Sequence, residues 1–241
     1  MTGVRSGAGP DEGAASNEEL GAALTDALVG IEALAFAVAL ARRPVASSGR
    51  AASRATEIRD AFVLFNAATA VAAITGAALH GLFSDRRHPV RRALWRISLA
   101  AIGLGSLAAW RLGASLALTG RAKTRVMAAA NGGHAVYEVV VILIGPPYAI
   151  AVAGYVPGAA VLGWACASQL NDPAEHDGAA LALAGLGITI AAAAIQVLRI
   201  GIRPRWLDSN ALYHIVQAGG LATFHLAALR FLEPTGPRPR S

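Results

Sequence analysis

The residues of this chain able to do chemistry are six histidines and a few carboxylates and carboxamides, several of them set in otherwise apolar sequence. Asn66, Thr69, Gly76 and His80 are spaced by 3, 7 and 4 within one apolar stretch, which puts them along one face of a helix. Asn131, His134 and Glu138 do the same at i, i+3, i+7 in a second stretch, and Asn210, His214, Gln217 and His225 in a third. Thr189 and Gln196 form a weaker version in a fourth. A polar side chain at membrane depth is costly and faces the inside of a helix bundle, so these stripes are expected to look at one another. Imidazoles beside a carboxylate are the donor set that Zn²⁺ takes, and equally a set that binds a solute or protons without metal.

The elements that must position these groups are seven apolar stretches, at about residues 22–40, 58–83, 93–114, 126–144, 147–168, 179–198 and 210–232. About twenty residues rising 1.5 Å each cross a hydrocarbon core of roughly 30 Å. Runs this long and continuously apolar satisfy their backbone groups in lipid only as helices. Hydrophobic residues make up 55% of the 241-residue chain and charged residues 15%, and mean hydropathy is +0.49. The fold class is therefore all-α: a polytopic membrane protein built as one bundle of seven transmembrane helices over residues 20–232. Residues 1–19, which lack the basic start and apolar centre of a cleaved signal peptide, and residues 233–241, rich in proline, are expected to be disordered tails.

Charge lies in the gaps. The net charge of +6 comes from 21 Lys and Arg against 15 Asp and Glu, and the arginines cluster at helix ends, where anionic lipid headgroups are the nearer partner than nucleic acid. With the N-terminus outside, the cytoplasmic gaps hold ten basic residues against eight outside, an excess that favours N-out, C-in in the cell membrane. The single cysteine, Cys166, excludes an intramolecular disulfide and a thiolate metal cluster.

Topology adds a constraint independent of orientation. The starts of the odd-numbered helices and the ends of the even-numbered ones share one side of the membrane, and that side collects Asp26, His80, Trp95, Arg96, Glu138, Tyr148, Asn210, His214 and Gln217. His80 and His214 are the candidate metal ligands there, with Asp26 or Glu138 as third ligand and the remaining carboxylate as general base. Arg96, Asn210, Gln217 and His134 complete the candidate polar cavity. Asp26 and Glu138 also have a purely structural reading, neutralising Arg96, and each polar group has one as an interhelical hydrogen-bonding partner. Glu32, His134 and His225 lie deeper. A haem held by His134 and His225 is disfavoured, because by the helical rise the two sit about 15 Å and 22 Å from corresponding ends.

Seven helices, a histidine at the end of helix 2 and a polar i, i+4 pair opening helix 7 resemble the membrane superfamily of the alkaline ceramidases and the progestin and adipoQ receptors. That resemblance implies three zinc-binding histidines, a Ser and His four apart on helix 2, an Asp near helix 3, and water activated to cleave a lipid amide. His80 matches the helix 2 histidine and His214 the second histidine of helix 7. Gly76 stands at the serine position, Arg91, Arg92, Trp95 and Arg96 where the Asp belongs, and Asn210 at the first helix 7 histidine. The segment from Asn210 through Tyr213 and His214 to Gln217 is also similar to a signature of uncharacterised bacterial seven-helix proteins.

Three functions follow as expectations: a zinc-dependent hydrolase of a lipid amide or ester, entered laterally from the bilayer; a small transporter or sensor using the intramembrane polar cavity; and a membrane protein whose interior polar groups serve packing alone. Membrane lipids and a lipid or small-molecule ligand are the partners these imply.

Overall fold

A computed structural model describes residues 10–45, 49–83, 85, 87–202 and 208–233. Among them the chain forms seven helices: α1 (Pro10–Ala41), α2 (Gly49–Gly81), α3 (Pro89–Ala117), α4 (Gly120–Ile144), α5 (Tyr148–Gln169), α6 (His176–Leu198) and α7 (Ser209–Phe231). Six are long and apolar enough to cross a membrane. The other, α7, spans 23 residues, and its hydropathy is lowered by its own row of polar side chains. The protein is an all-helical integral membrane bundle.

Helices begin earlier than the apolar stretches suggested. The boundary expected at residue 20 falls inside α1, because Ala, Glu and Leu fill most of residues 14–24 and carry the helix back beyond the apolar run. Residues 1–9 and 234–241 lie outside the described residues. Likewise α2 begins at Gly49, not near Ile58, and α4 at Gly120, not near Val126. Arginine is a good helix former, so a charged segment marks the edge of the hydrocarbon without ending the helix. Local caps set other boundaries. His88 accepts the Val90 N–H ahead of Pro89 at the start of α3, and Asp208 accepts the Ala211 N–H at 2.8 Å at the start of α7.

α3 is the organising helix. It packs against α2, α4 and α5, and 67% of its membrane-crossing window is buried, against 11% for α4. Small residues make this possible, since in lipid the gain comes from close van der Waals contact between backbones and not from expulsion of water. The Ser106 hydroxyl donates to the Gly154 carbonyl of α5 at 3.0 Å, and a Cβ added at Gly158 would stand 2.8 Å from the Ser106 carbonyl oxygen. Larger side chains fill the bundle interior, where Phe62, Leu112, Leu162, Leu186 and Phe224 join α2, α3, α5, α6 and α7 in one core. The remaining contacts run α1 on α2 and α7, α6 on α5 and α7, and α2 on α7.

The end of the bundle formed by the start of α2 and the end of α3 is tied by charge. Arg54 pairs with Glu175 at 2.6 Å and its guanidinium donates to the Ser115 and Leu116 carbonyls at 3.3 and 3.5 Å, satisfying acceptors that the end of α3 leaves open. Glu57 accepts from Ser115 at 3.2 Å and pairs with Lys123 at the start of α4.

Replacing Gly158 by Val is expected to lower stability by about 1–3 kcal/mol through overpacking of the α3–α5 contact. Gly187→Val, on an exposed face of α6 where a Cβ meets nothing within 4 Å, is expected to change it little. Thermal unfolding of the two variants in one detergent compares them directly.

Candidate intramembrane polar site

The centre of the site is a carboxylate and an imidazole from opposite ends of the sequence. Asp26 of α1 and His214 of α7 are 3% and 8% exposed, and Asp26 Oδ1 lies 3.0 Å from His214 Nε2. Nε2 is the imidazole nitrogen that faces the carboxylate, and Nδ1 is the second. His214 Nδ1 is buried with no hydrogen-bonding partner among the described residues. It is the open position of the pair.

Gly76 explains how the carboxylate gets there. A Cβ at residue 76 would stand 2.7 Å from Asp26 Oδ2, closer than any side chain tolerates, so α2 carries glycine where Asp26 passes over it. The position at which the resemblance implies a serine is thus filled, in space, by an acid from α1.

A second pair sits one helical turn away, since His80 follows Gly76 by four residues and Asn210 precedes His214 by four. The Asn210 carboxamide nitrogen is 3.4 Å from His80 Nε2, and Gln196 at the end of α6 donates to Asn210 Oδ1 at 3.0 Å. Tyr213 lies beside His214, with ring centroids 4.5 Å apart, and its hydroxyl is 3.4 Å from that of Tyr148 at the start of α5. Around this end, Trp95 donates to the Pro146 carbonyl at 3.2 Å, and Arg91 closes the end of α2 by donating to the Leu79 and Phe83 carbonyls.

The polar stripes of α2 and α7 therefore meet, joined by Asp26. That of α4 does not join them, because α4 packs on α3 and on the first turns of α5 and not on α2 or α7. Glu138 and His134 form a separate pair 3.6 Å apart on α4, with Gly103 of α3 leaving room for Glu138 and the Tyr137 ring. Arg96 is exposed, its guanidinium against Gly145 at the α4–α5 turn, and among the described residues neither Asp26 nor Glu138 pairs with it. Gln217 is half-buried one turn beyond His214. His225 stacks on Phe36 at 4.2 Å, remote in the packing from His134.

Among the described residues no three His, Cys, Asp or Glu side chains converge as a metal centre. The closest approach to a zinc set is His80, His214 and Asp26, and within it the Asp26 contact already occupies the His214 Nε2 that faces the carboxylate. Sequence reasoning named all five residues of the Asp26–His214 and His80–Asn210–Gln196 groups as polar. It missed the direct α1–α7 pair, for which no spacing rule exists, and the roles of Gly76 and Tyr213. A glycine four residues before an interior histidine was the available signal.

Gly76→Ala is expected to push the Asp26 carboxylate off His214 and to destabilise the bundle by about 1–3 kcal/mol. Asp26→Asn in the Gly76→Ala background is expected to add less than it does alone, which a double-mutant cycle on unfolding midpoints measures.

One sequence family, described as a family of unknown function (DUF6962), matches residues 22–233. No curated protein and no solved structure matches the chain.

Proposed function

From a chain that belongs to this DUF6962 family of unknown function, we propose a membrane protein that binds a small solute or lipid headgroup at its Asp26–His214 pair and exchanges a proton as it does so, in the manner of a small transporter or sensor. The observation that supports this reading is the open, buried Nδ1 of an imidazole whose other nitrogen is held by a carboxylate at 3.0 Å. In lipid such a pair is expensive to build and marks a proton or substrate position. Asp26 and His214 hold the proton; His80, Asn210 and Gln196 form the polar path from that position toward the membrane surface; Tyr148 and Tyr213 offer hydroxyls to the ligand. The Lys and Arg balance between the gaps favours a cell-membrane orientation with the N-terminus outside and the C-terminus in the cytoplasm.

The test is ligand-induced thermal stabilisation of the purified protein across a panel of polar and amphiphilic solutes, with each hit titrated from about pH 5 to 8, the range in which imidazole changes charge. Affinity is expected to vary with pH in the wild type and in Glu138→Gln. In His214→Phe that dependence is expected to vanish, and in Asp26→Asn to change. A hit whose affinity is flat with pH in the wild type contradicts the reading.

A second reading, a zinc-dependent hydrolase of a lipid amide or ester, is favoured by two imidazoles and one carboxylate gathered on neighbouring helices at one end of the bundle. Zinc would be held by His80, His214 and Asp26 and would supply an activated water. The present arrangement does not fit it, since no three such ligands converge among the described residues and Asp26 is turned onto His214. Glu138, on α4, is too far removed in the packing to serve as its base. Zinc at less than about one tenth of an equivalent in protein purified with zinc supplied, unchanged in the His80→Ala, His214→Ala double variant, removes this reading, because a catalytic zinc needs three protein ligands and a water.

A further inference from the structure

A second acid of the bundle is seated on a glycine. Glu138 of α4 lies over Gly103 of α3, where an added Cβ would stand 2.7 Å from Oε1, and it too faces an imidazole, with His134 Nδ1 at 3.6 Å. α3 therefore lacks a side chain where this carboxyl and the Tyr137 ring pass over it, as α2 does beneath Asp26. The two arrangements share no helix, since one is built by α1, α2 and α7 and the other by α3 and α4.

Depth and access set this pair apart. The apolar run of α4, residues 126–144, has Ala135 at its middle, so His134 and Glu138 lie about 1.5 and 4.5 Å from that level by the helical rise. Gly103 falls at the middle of the run 93–114 in α3, so both helices place the contact near the centre of the hydrocarbon. The His134 and Glu138 side chains are 18% and 22% exposed, against 10% and 5% for His214 and Asp26. Ala135 and Val139 beside them are open to lipid, so an apolar molecule reaches the pair from the bilayer along the α3–α4 seam.

His134 Nδ1 and Glu138 Oε1 are both buried without a hydrogen-bonding partner among the described residues. The neighbours do not supply one. Tyr137 donates its hydroxyl to the Leu99 carbonyl at 2.9 Å, and Tyr148 of α5 packs in the same cluster as Tyr137. Arg111 of α3 is the charged group on the His134 side, and among the described residues it forms no ion pair with Glu138. Hydrocarbon solvates neither a bare carboxylate nor an imidazolium. With one proton between them the two groups are jointly neutral, as acid beside imidazole or carboxylate beside imidazolium, and the proton belongs to the pair. A closure of under about 1 Å makes the hydrogen bond that carries it. Helix stability does not account for the pair, because an i, i+4 contact adds far less than an ionisable side chain costs at this depth.

We propose that Glu138 and His134 form a second intramembrane proton-binding site, which takes up one proton at the α3–α4 seam near the middle of the bilayer. The site is independent of the Asp26–His214 pair and of what that pair binds.

Dicyclohexylcarbodiimide applied to the full chain in native membranes tests it. This apolar reagent enters lipid and adds a protonated carboxyl across one of its C=N bonds, the proton going to nitrogen and the carboxyl oxygen to carbon, and the product rearranges to a stable N-acylurea from which no atom leaves. Peptide mass spectrometry is expected to find the adduct on Glu138 in the wild type, with a yield that falls as the pH is raised from about 5 to 9, the span reached by buried glutamates. His134→Gln removes the group that competes for the proton, and is expected to move the half-labelling pH upward by about 1 or more, since a cation within about 4 Å holds a neighbouring carboxyl in its charged form. Circular dichroism of the purified variant checks that the bundle is intact, and the wild-type result needs no variant. No adduct on Glu138 in the wild type, a yield flat across this range, or a profile that His134→Gln leaves in place would each overturn the proposal.

Discussion

A carboxylate and an imidazole held 3.0 Å apart inside a membrane bundle cannot be separated without leaving a polar group unpartnered in hydrocarbon. Asp26 and His214 impose that condition on the first and last helices of the chain, fixing the depth of α1 against α7. Through Gly76 they fix α2 as well, because the carboxylate fits only where α2 lacks a side chain. Three helices are thereby held in register by one polar contact, and the His80–Asn210–Gln196 group follows one turn away because its members share helices with the pair or pack beside them. Buried ion pairs seldom add much net stability over well-packed apolar residues. That a buried carboxylate–imidazole contact stands near one end of the bundle argues for a use beyond holding it together.

The bundle has two unlike ends. Around Asp26 and His214 the interhelical contacts are imidazoles, carboxamides and phenols, groups that accept and release protons or hydrogen-bond a guest. At the other end, Arg54, Glu57, Lys123 and Glu175 form ion pairs at the rim and close off the carbonyls of α3. Between them lies a dry core of Phe62, Leu162 and Phe224 with their neighbours. This division sets polar contacts near one face and ion pairs near the other, with an apolar core between them.

Much of this was legible in the chain. Seven apolar runs announced seven helices, and helical spacing singled out the inward faces of α2 and α7. The rule that alternate helix ends share a side of the membrane was enough, on its own, to gather Asp26, His80, Asn210 and His214. What the residues could not disclose was neighbourhood. Whether α4 or α1 stands beside α7 depends on which surfaces pack most closely, and the small-residue face of α3 decides it by taking α4 to itself. Glu138 therefore went to a pair with His134, and Asp26 inherited the partner that either acid was chemically fit to hold. Helix starts were misplaced for a simpler reason: hydropathy reports where lipid ends, and arginine lets a helix run on past that point.

The likeness to the alkaline ceramidase and receptor superfamily rests on sequence features alone, and no solved structure matches the chain. A glycine at the serine position, a carboxamide at one histidine position and an acid supplied from α1 are the features on which the proposed proton-exchanging site rests. The most direct test is ¹⁵N NMR of His214 in lipid nanodiscs. If the Asp26 carboxylate faces Nε2 as the geometry has it, the Nε2 resonance differs between the wild type and Asp26→Asn, while Glu138→Gln leaves it in place. An Nε2 resonance identical with and without the Asp26 carboxylate would contradict it.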